Sequence, residues 1–147
     1  RLSFQKRIIK MVVNRDIIPD TDAYLIPVCE ETVSQWRSVY NEKMKNVPNA
    51  SYMSIGDPVK LLGRCVAYFV EMKGVLIGIG IVNENQIEAI ATVVPGEGSN
   101  VLAALCSKIT SEKVCLEVAT ENKKAVQFYR RLGFVDDSVI STWYVIK

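Results

Sequence analysis

The spacing of apolar and polar positions divides the chain into segments of different period. Residues 3–18 (SFQKRIIKMVVNRDII) carry apolar positions that fit either a short amphipathic helix capped by Ser3 or a strand. Pro19 and Asp20 end that segment. Residues 23–28 (AYLIPV) read as a first strand. Residues 30–46 read as a helix, with Val33, Trp36, Val39, Tyr40 and Met44 on one face. Pro48, Asn49, Ser51 and Gly56 mark a loop over 46–56. Asp57 followed by Pro58 is an N-cap with proline at the first helical position, and predicts a short helix to about residue 64.

The period then changes. Residues 66–72 and 75–82 are apolar runs joined by Lys73-Gly74, which predicts a β-hairpin. A turn over 83–86 leads into a third strand over 87–94 (IEAIATVV), alternating at first and then wholly apolar, as a strand central to a sheet would be. After Pro95-Gly96-Glu97-Gly98-Ser99-Asn100, the positions Val101, Leu102, Leu105 and Ile109 recur at helical spacing. Residues 113–119 (KVCLEVA) alternate as a strand. Thr120 predicts the cap of a helix over 121–132, stopped by Gly133. Two last strands are expected over 134–140 and 142–146. The order is mixed α/β, with antiparallel hairpins followed by β-α-β-α-β, and it contains no internal repeat.

Composition narrows the class. With 147 residues, the chain can build one core and is too short for two ordinary domains. A net charge of +2 leaves no dominant basic face, which argues against a nucleic-acid partner. No apolar stretch approaches the roughly 20 residues that span a bilayer, and Lys10, Arg15 and Asp16 interrupt any signal-peptide pattern in the first 20 residues. Histidine is absent, which removes His-based triads and the usual zinc sets. Cys29, Cys65, Cys106 and Cys115 show no C-x-x-C spacing. Reduced, mostly buried thiols and a cytoplasmic location are the expectation, with no metal.

Two segments carry chemistry. In the first, a strand runs through a glycine turn into a helix. Backbone N–H groups converge at a helix start, and the dipole favours an anion there. Gly96 and Gly98 let the backbone come close, and Ser99 and Asn100 add donors, whereas Glu97 places a negative charge nearby. Most short glycine turns between a strand and a helix are only turns. The second segment is Glu117 to Phe134, EVATENKKAVQFYRRLGF.

This second segment, read as E-N-x-x-A-x-x-F-Y-x-x-L-G-F after a strand, resembles the C-terminal signature of the GNAT acyltransferases. Asn122, Ala125, Tyr129, Gly133 and Phe134 fall at the family's spacing. The hairpin, the apolar strand ending Val93-Val94-Pro95 and the glycine loop precede it in the family's order. The resemblance covers 66–140 well, covers 20–65 only as a plausible first strand and helices, and leaves 1–19 outside as an N-terminal extension of a single domain. The loop departs from the family form. Gly96 follows Pro95 directly, and no Arg or Gln opens the loop, which bears on pyrophosphate binding and not on the fold.

The resemblance implies a mixed, mostly antiparallel sheet flanked by helices, and transfer of an acetyl group from acetyl-CoA to a primary amine in a ternary complex. It implies that the backbone of Ala91, Thr92, Val93 and Val94 pairs with the pantetheine, that Gly96, Gly98, Ser99 and Asn100 face the pyrophosphate, and that Asn122 and Ala125 lie along the pantetheine arm. Tyr129 matches the tyrosine that protonates the leaving thiolate; as a bare residue it also fits a core position on an amphipathic helix. Glu88 is the first candidate base and Glu71 the second. Lys123, Lys124, Arg130 and Arg131 form a basic face, either solvated or turned to the nucleotide phosphates. The acceptor would be a small-molecule or peptide amine, with no nucleic acid and no membrane; a homodimer stays open. The alternative reading is a catalytically degenerate domain of the same fold that senses a ligand or binds a partner.

Overall fold

The structure is a computed structural model and describes residues 2–45 and 66–146, with side chains over 7–45 and 66–137. The expected loop over 46–56, the short helix after Asp57 and Cys65 lie outside the described residues.

Seven strands form one sheet in the order β2-β3-β4-β5-β6-β1-β7. They are β1 (Leu2–Asn14), β2 (Tyr24–Pro27), β3 (Ala67–Met72), β4 (Val75–Asn83), β5 (Gln86–Thr92), β6 (Lys113–Ala119) and β7 (Val135–Ile146). Three helices among the described residues flank it: α1 (Val33–Met44), α2 (Gly98–Cys106) and α3 (Lys123–Arg131). Every neighbouring pair is antiparallel except β5 and β6.

Residues 3–18 resolve as strand and not helix, ending in a 3-10 turn at Arg15–Ile17. β1 is no appendage: it lies between β6 and β7, with Ile8–Asn14 paired to Ala119–Lys113 on one side. The two last strands are one. The register against β1 jumps from Val139 to Ser141, so a bulge, not a turn, interrupts the pattern there.

Two apolar clusters lie on opposite faces, as the adjacent residues Phe69 and Val70 show by entering different ones. One joins α2 and α3 to β1, β4 and β6 through Val101, Leu105, Val126, Tyr129, Met11 and Leu116, among others. The other seats Trp36 of α1 on Phe69, Ile79, Ile81 and Ala91. Trp36 Nε1 donates to the Tyr68 carbonyl at 3.0 Å, which satisfies its polar atom in full burial.

The glycines of β4 explain how close α2 comes. A Cβ on Gly78 would meet Val101 at 2.6 Å, and one on Gly80 would overlap Leu105. Only bare backbone lets the helix lie this deep, and α2 is accordingly buried from Val101 to Cys106.

Of the three described cysteines, Cys106 and Cys115 are buried, whereas Cys29 is exposed; all three are free thiols. No helix among the described residues is long and apolar enough to cross a membrane.

Candidate functional site

β5 and β6 start as a parallel pair and then separate. Their register holds at Gln86↔Cys115 and Ile87↔Leu116 and stops, although β5 runs on to Thr92 and β6 to Ala119. An inner strand directs alternate N–H and C=O groups to each neighbour, and buried ones need partners. Beyond Ile87 the groups that β5 would offer to β6 face a gap instead.

That gap is a cleft of about 520 Å³. β5 lines it from Ile87 to Thr92, β6 from Leu116 to Ala119, and α3 contributes Ala125 and Tyr129, with Asn122 at its start. Tyr40, Lys43 and Met44 of α1 reach it from the other face. A second hollow of about 480 Å³ adjoins it, sharing Lys43 and Thr92, and is lined further by Val93, Pro95, Gly96, Gly98, Ser99, Phe128 and Arg131.

The hollow lies at the start of α2. Gly96 has φ +89, the left-handed turn that glycine permits. The first helical bond runs from Val101 N–H to the Glu97 carbonyl at 3.0 Å, so the N–H groups of Gly98, Ser99 and Asn100 precede it, and no side chain caps them. Gly98 passes under Phe128, where a Cβ would lie 3.1 Å from the ring. The Glu97 carboxylate accepts from Asn100 Nδ2 at 2.9 Å, and Asn100 Oδ1 accepts from the Thr21 hydroxyl at 2.7 Å. Neither Glu97 nor Asn100 lines the hollow. Asn100 therefore holds Glu97 by its side chain and is not itself a lining residue. Val94 likewise packs toward the core, its N–H directed at the Ile77 carbonyl at 3.4 Å alongside that of Val93 at 2.8 Å.

Tyr129 lines the cleft at 8% exposure, its ring set against Phe128 and Phe134 with centroids 5.5 and 5.6 Å away. Burial pushes its phenol up to about 12, so it is a neutral O–H donor at neutral pH. Among the described residues no buried side-chain polar atom is left without a hydrogen-bond partner, so this hydroxyl is no buried orphan. Glu88 lines the same cleft from β5, its Oε2 accepting from Asn83 Nδ2 at 3.1 Å. Glu71 does not: it accepts from the Tyr24 hydroxyl at 3.2 Å on the β2–β3 side of the sheet. Asn122, and not Thr120, caps α3, with Oδ1 accepting from Ala125 N–H at 3.4 Å.

The basic face divides. Lys123 and Lys124 are exposed, Arg130 pairs with Asp136 at 3.0 Å, and Arg131 borders the hollow. Lys43 borders both spaces and was invisible in the sequence, where it reads as one more polar residue on α1. Among the described residues no three His, Cys, Asp or Glu side chains converge as a metal site would need.

No family model and no curated protein matches the chain. Solved structures do. An acetyltransferase of the GNAT family from Colwellia psychrerythraea superposes with a TM-score of 0.69 at 13% identity, over 98% of this chain and 57% of that one. A GCN5-related N-acetyltransferase from Sphaerobacter thermophilus gives 0.61 at 14% identity, over 97% and 51%. The aminoglycoside N-acetyltransferase AAC(6')-Iy, solved with CoA, gives 0.57 at 13% identity, over 88% and 97%. This chain spans between 51% and 62% of the first four structures it matches. The fold is that of the GNAT acetyltransferases.

Proposed function

We propose that this chain, folded as the GNAT acetyltransferases are, moves an acetyl group from acetyl-CoA to a primary amine. The observation that carries the reading is the parting of β5 from β6 after Ile87, which opens a cleft lined by Glu88 and Tyr129 next to the hollow at the uncapped start of α2.

The residues fit such a co-substrate. The cleft-facing backbone of β5 supplies a ladder of donors and acceptors for an amide-bearing arm, with Asn122 and Ala125 opposite. The free N–H groups of Gly98, Ser99 and Asn100 suit a pyrophosphate, with Lys43 and Arg131 at the rim in place of the loop Arg or Gln. Bound acetyl-CoA would supply an activated thioester, whose C–S bond breaks as the C–N bond to the amine forms. Glu88 takes the proton that the attacking nitrogen sheds. Tyr129, neutral in the cleft, gives its proton to the departing sulfur, and no covalent enzyme intermediate is needed.

A second reading, a ligand-sensing domain that binds CoA without turnover, draws support from the short loop in which Gly96 follows Pro95 directly. Thermal melting with millimolar acetyl-CoA, followed by release of free CoA thiol in the presence of primary amines, separates the two. Stabilisation plus amine-dependent thiol release is the expected result. Stabilisation without release with any amine selects the sensing domain, and no stabilisation removes both.

A further inference from the structure

Glu97 sits on the glycine turn where a carboxylate would oppose the proposed donor. Pro95, Gly96, Gly98 and Ser99, on either side of it, all line the hollow, whereas Glu97 does not. Among the described residues the hollow's charged lining is Lys43 and Arg131, both cations. Glu97 is also the N-cap of α2, the position from which a side-chain oxygen ordinarily accepts a free N–H of the first turn. Its carboxylate makes no such bond. Left to itself it has two places to go, the cationic rim and the N–H groups of the first turn. In either it would occupy what a phosphate needs.

A chain of hydrogen bonds holds it elsewhere. Ala23 N–H donates to the Thr21 hydroxyl oxygen at 3.1 Å, that hydroxyl donates to Asn100 Oδ1 at 2.7 Å, and Asn100 Nδ2 donates to Glu97 Oε2 at 2.9 Å. Chemistry sets the directions. A carboxylate only accepts, so the amide turns its nitrogen to Glu97 and its oxygen to the single proton of Thr21. Thr21 comes 79 positions before Asn100, on the segment between β1 and β2. All three side chains are half-buried, where such bonds are stronger than in water. Asn100 is the third residue of α2, from which a capping box reaches back to the N-cap backbone. Here its amide grips the N-cap side chain instead, and the N–H groups of the first turn stay open.

Resting on the acetyl-CoA reading, we propose that Asn100 and Thr21 are positioning residues of the donor site, which hold the Glu97 carboxylate off the start of α2. The pyrophosphate then meets N–H groups and cations, with no competing anion. Neither side chain touches the ligand; both act through Glu97. A released Glu97 is an internal anion that takes the ligand's place.

The test is CoA affinity, measured by calorimetry, in the wild-type protein, Asn100→Ala, Glu97→Gln and the double variant. Melting without ligand is read alongside. Alanine keeps the backbone N–H and suits a helix. Asn100→Ala should bind CoA about fivefold more weakly, the scale of one solvent-accessible charge interaction, and the loss should shrink at high salt. Glu97→Gln alone should shift affinity by less than about twofold, and the double variant should return to within about twofold of wild type. A merely distorted helix start would stay weak in the double variant. Thr21→Val removes the hydroxyl that orients the amide and should reproduce part of the loss; it carries the test if Asn100→Ala does not fold. Unchanged affinity in the folded variants, or a loss that Glu97→Gln does not recover, overturns the inference while CoA binding stands. The expected pattern without transfer to any amine keeps the inference and removes acetyl transfer. A wild-type protein that binds no CoA sinks both.

Discussion

A Cβ built on Gly78 would lie 2.6 Å from the carbonyl oxygen of Ala91, its partner strand's backbone on β5. The strand that lines the cleft is thus pressed against a neighbour that has room for nothing larger than hydrogen. β4, hydrogen-bonded beside β5 in the same sheet, leaves that strand no room to shift toward it.

Gly78→Ala should accordingly cost about 1–3 kcal/mol, the usual range for overpacking. Gly80→Ala should cost less, because its main obstacle is the end of the Leu105 side chain, which can turn, and not a backbone oxygen. Chemical denaturation of the two variants checks the order.

Ser99 tests the start of α2. Ser99→Asp adds a carboxylate in the first turn, where the helix dipole favours it by about 0.3–1 kcal/mol. The same carboxylate would repel a pyrophosphate. Stability should hold or rise while CoA affinity falls, and a melting curve paired with a CoA titration reads both signs. Unchanged CoA affinity in the folded variant would move the phosphate site elsewhere.

Tyr129→Phe keeps the ring between Phe128 and Phe134 and removes only the hydroxyl. With the packing kept, stability should change by no more than about 1 kcal/mol. Turnover should fall about 10- to 1000-fold, mainly in kcat, as for loss of a general acid. A Phe variant with wild-type kcat would exclude Tyr129 as the required proton donor.

Alkaline pH should destabilise the protein. Burial raises Cys106 from 9.0 to about 12, against a smaller opposing pull from Arg15, and burial raises Tyr129 from 10.0 to about 12. Between each unfolded value and about 12 the folded chain holds a proton that the unfolded chain releases. Stability is therefore complete below pH 9 and declines as pH rises toward 12, by at most about 1.4 kcal/mol per pH unit for each group. Denaturation midpoints from pH 8 to 11 should show this, and the fall should be shallower in Tyr129→Phe.

The sequence was most readable from residue 66 onward, where turns at Lys73-Gly74 and Gly133 punctuate clear strands and helices. It was ambiguous at β1 for a physical reason. Ile9, Met11 and Val13 enter the core on one face while Ile8 is buried on the other, so an interior strand blurs the alternation that would have marked it. The place of Glu88 on the cleft strand followed from its position before the glycine loop. Lys43 had no such mark: only the docking of α1 through Trp36 brings it to the cleft. Asn122 displaced Thr120 as the cap because the turn before α3 runs two residues longer than the pattern suggested.

The place of β1 between β6 and β7 also bears on how the protein forms. Its partners begin at Lys113, opposite Asn14, and end at Ile146, opposite Leu2, so each rung of this half-sheet closes a loop of about a hundred residues or more. Closure entropy must be met before such contacts repay it, and folding slows as mean sequence separation grows. During synthesis β1 is made before both of its neighbours and finds neither until β2 to β5 and α2 have followed it. The half of the sheet that carries β6, one wall of the cleft, therefore closes after the half built from β2 to β5.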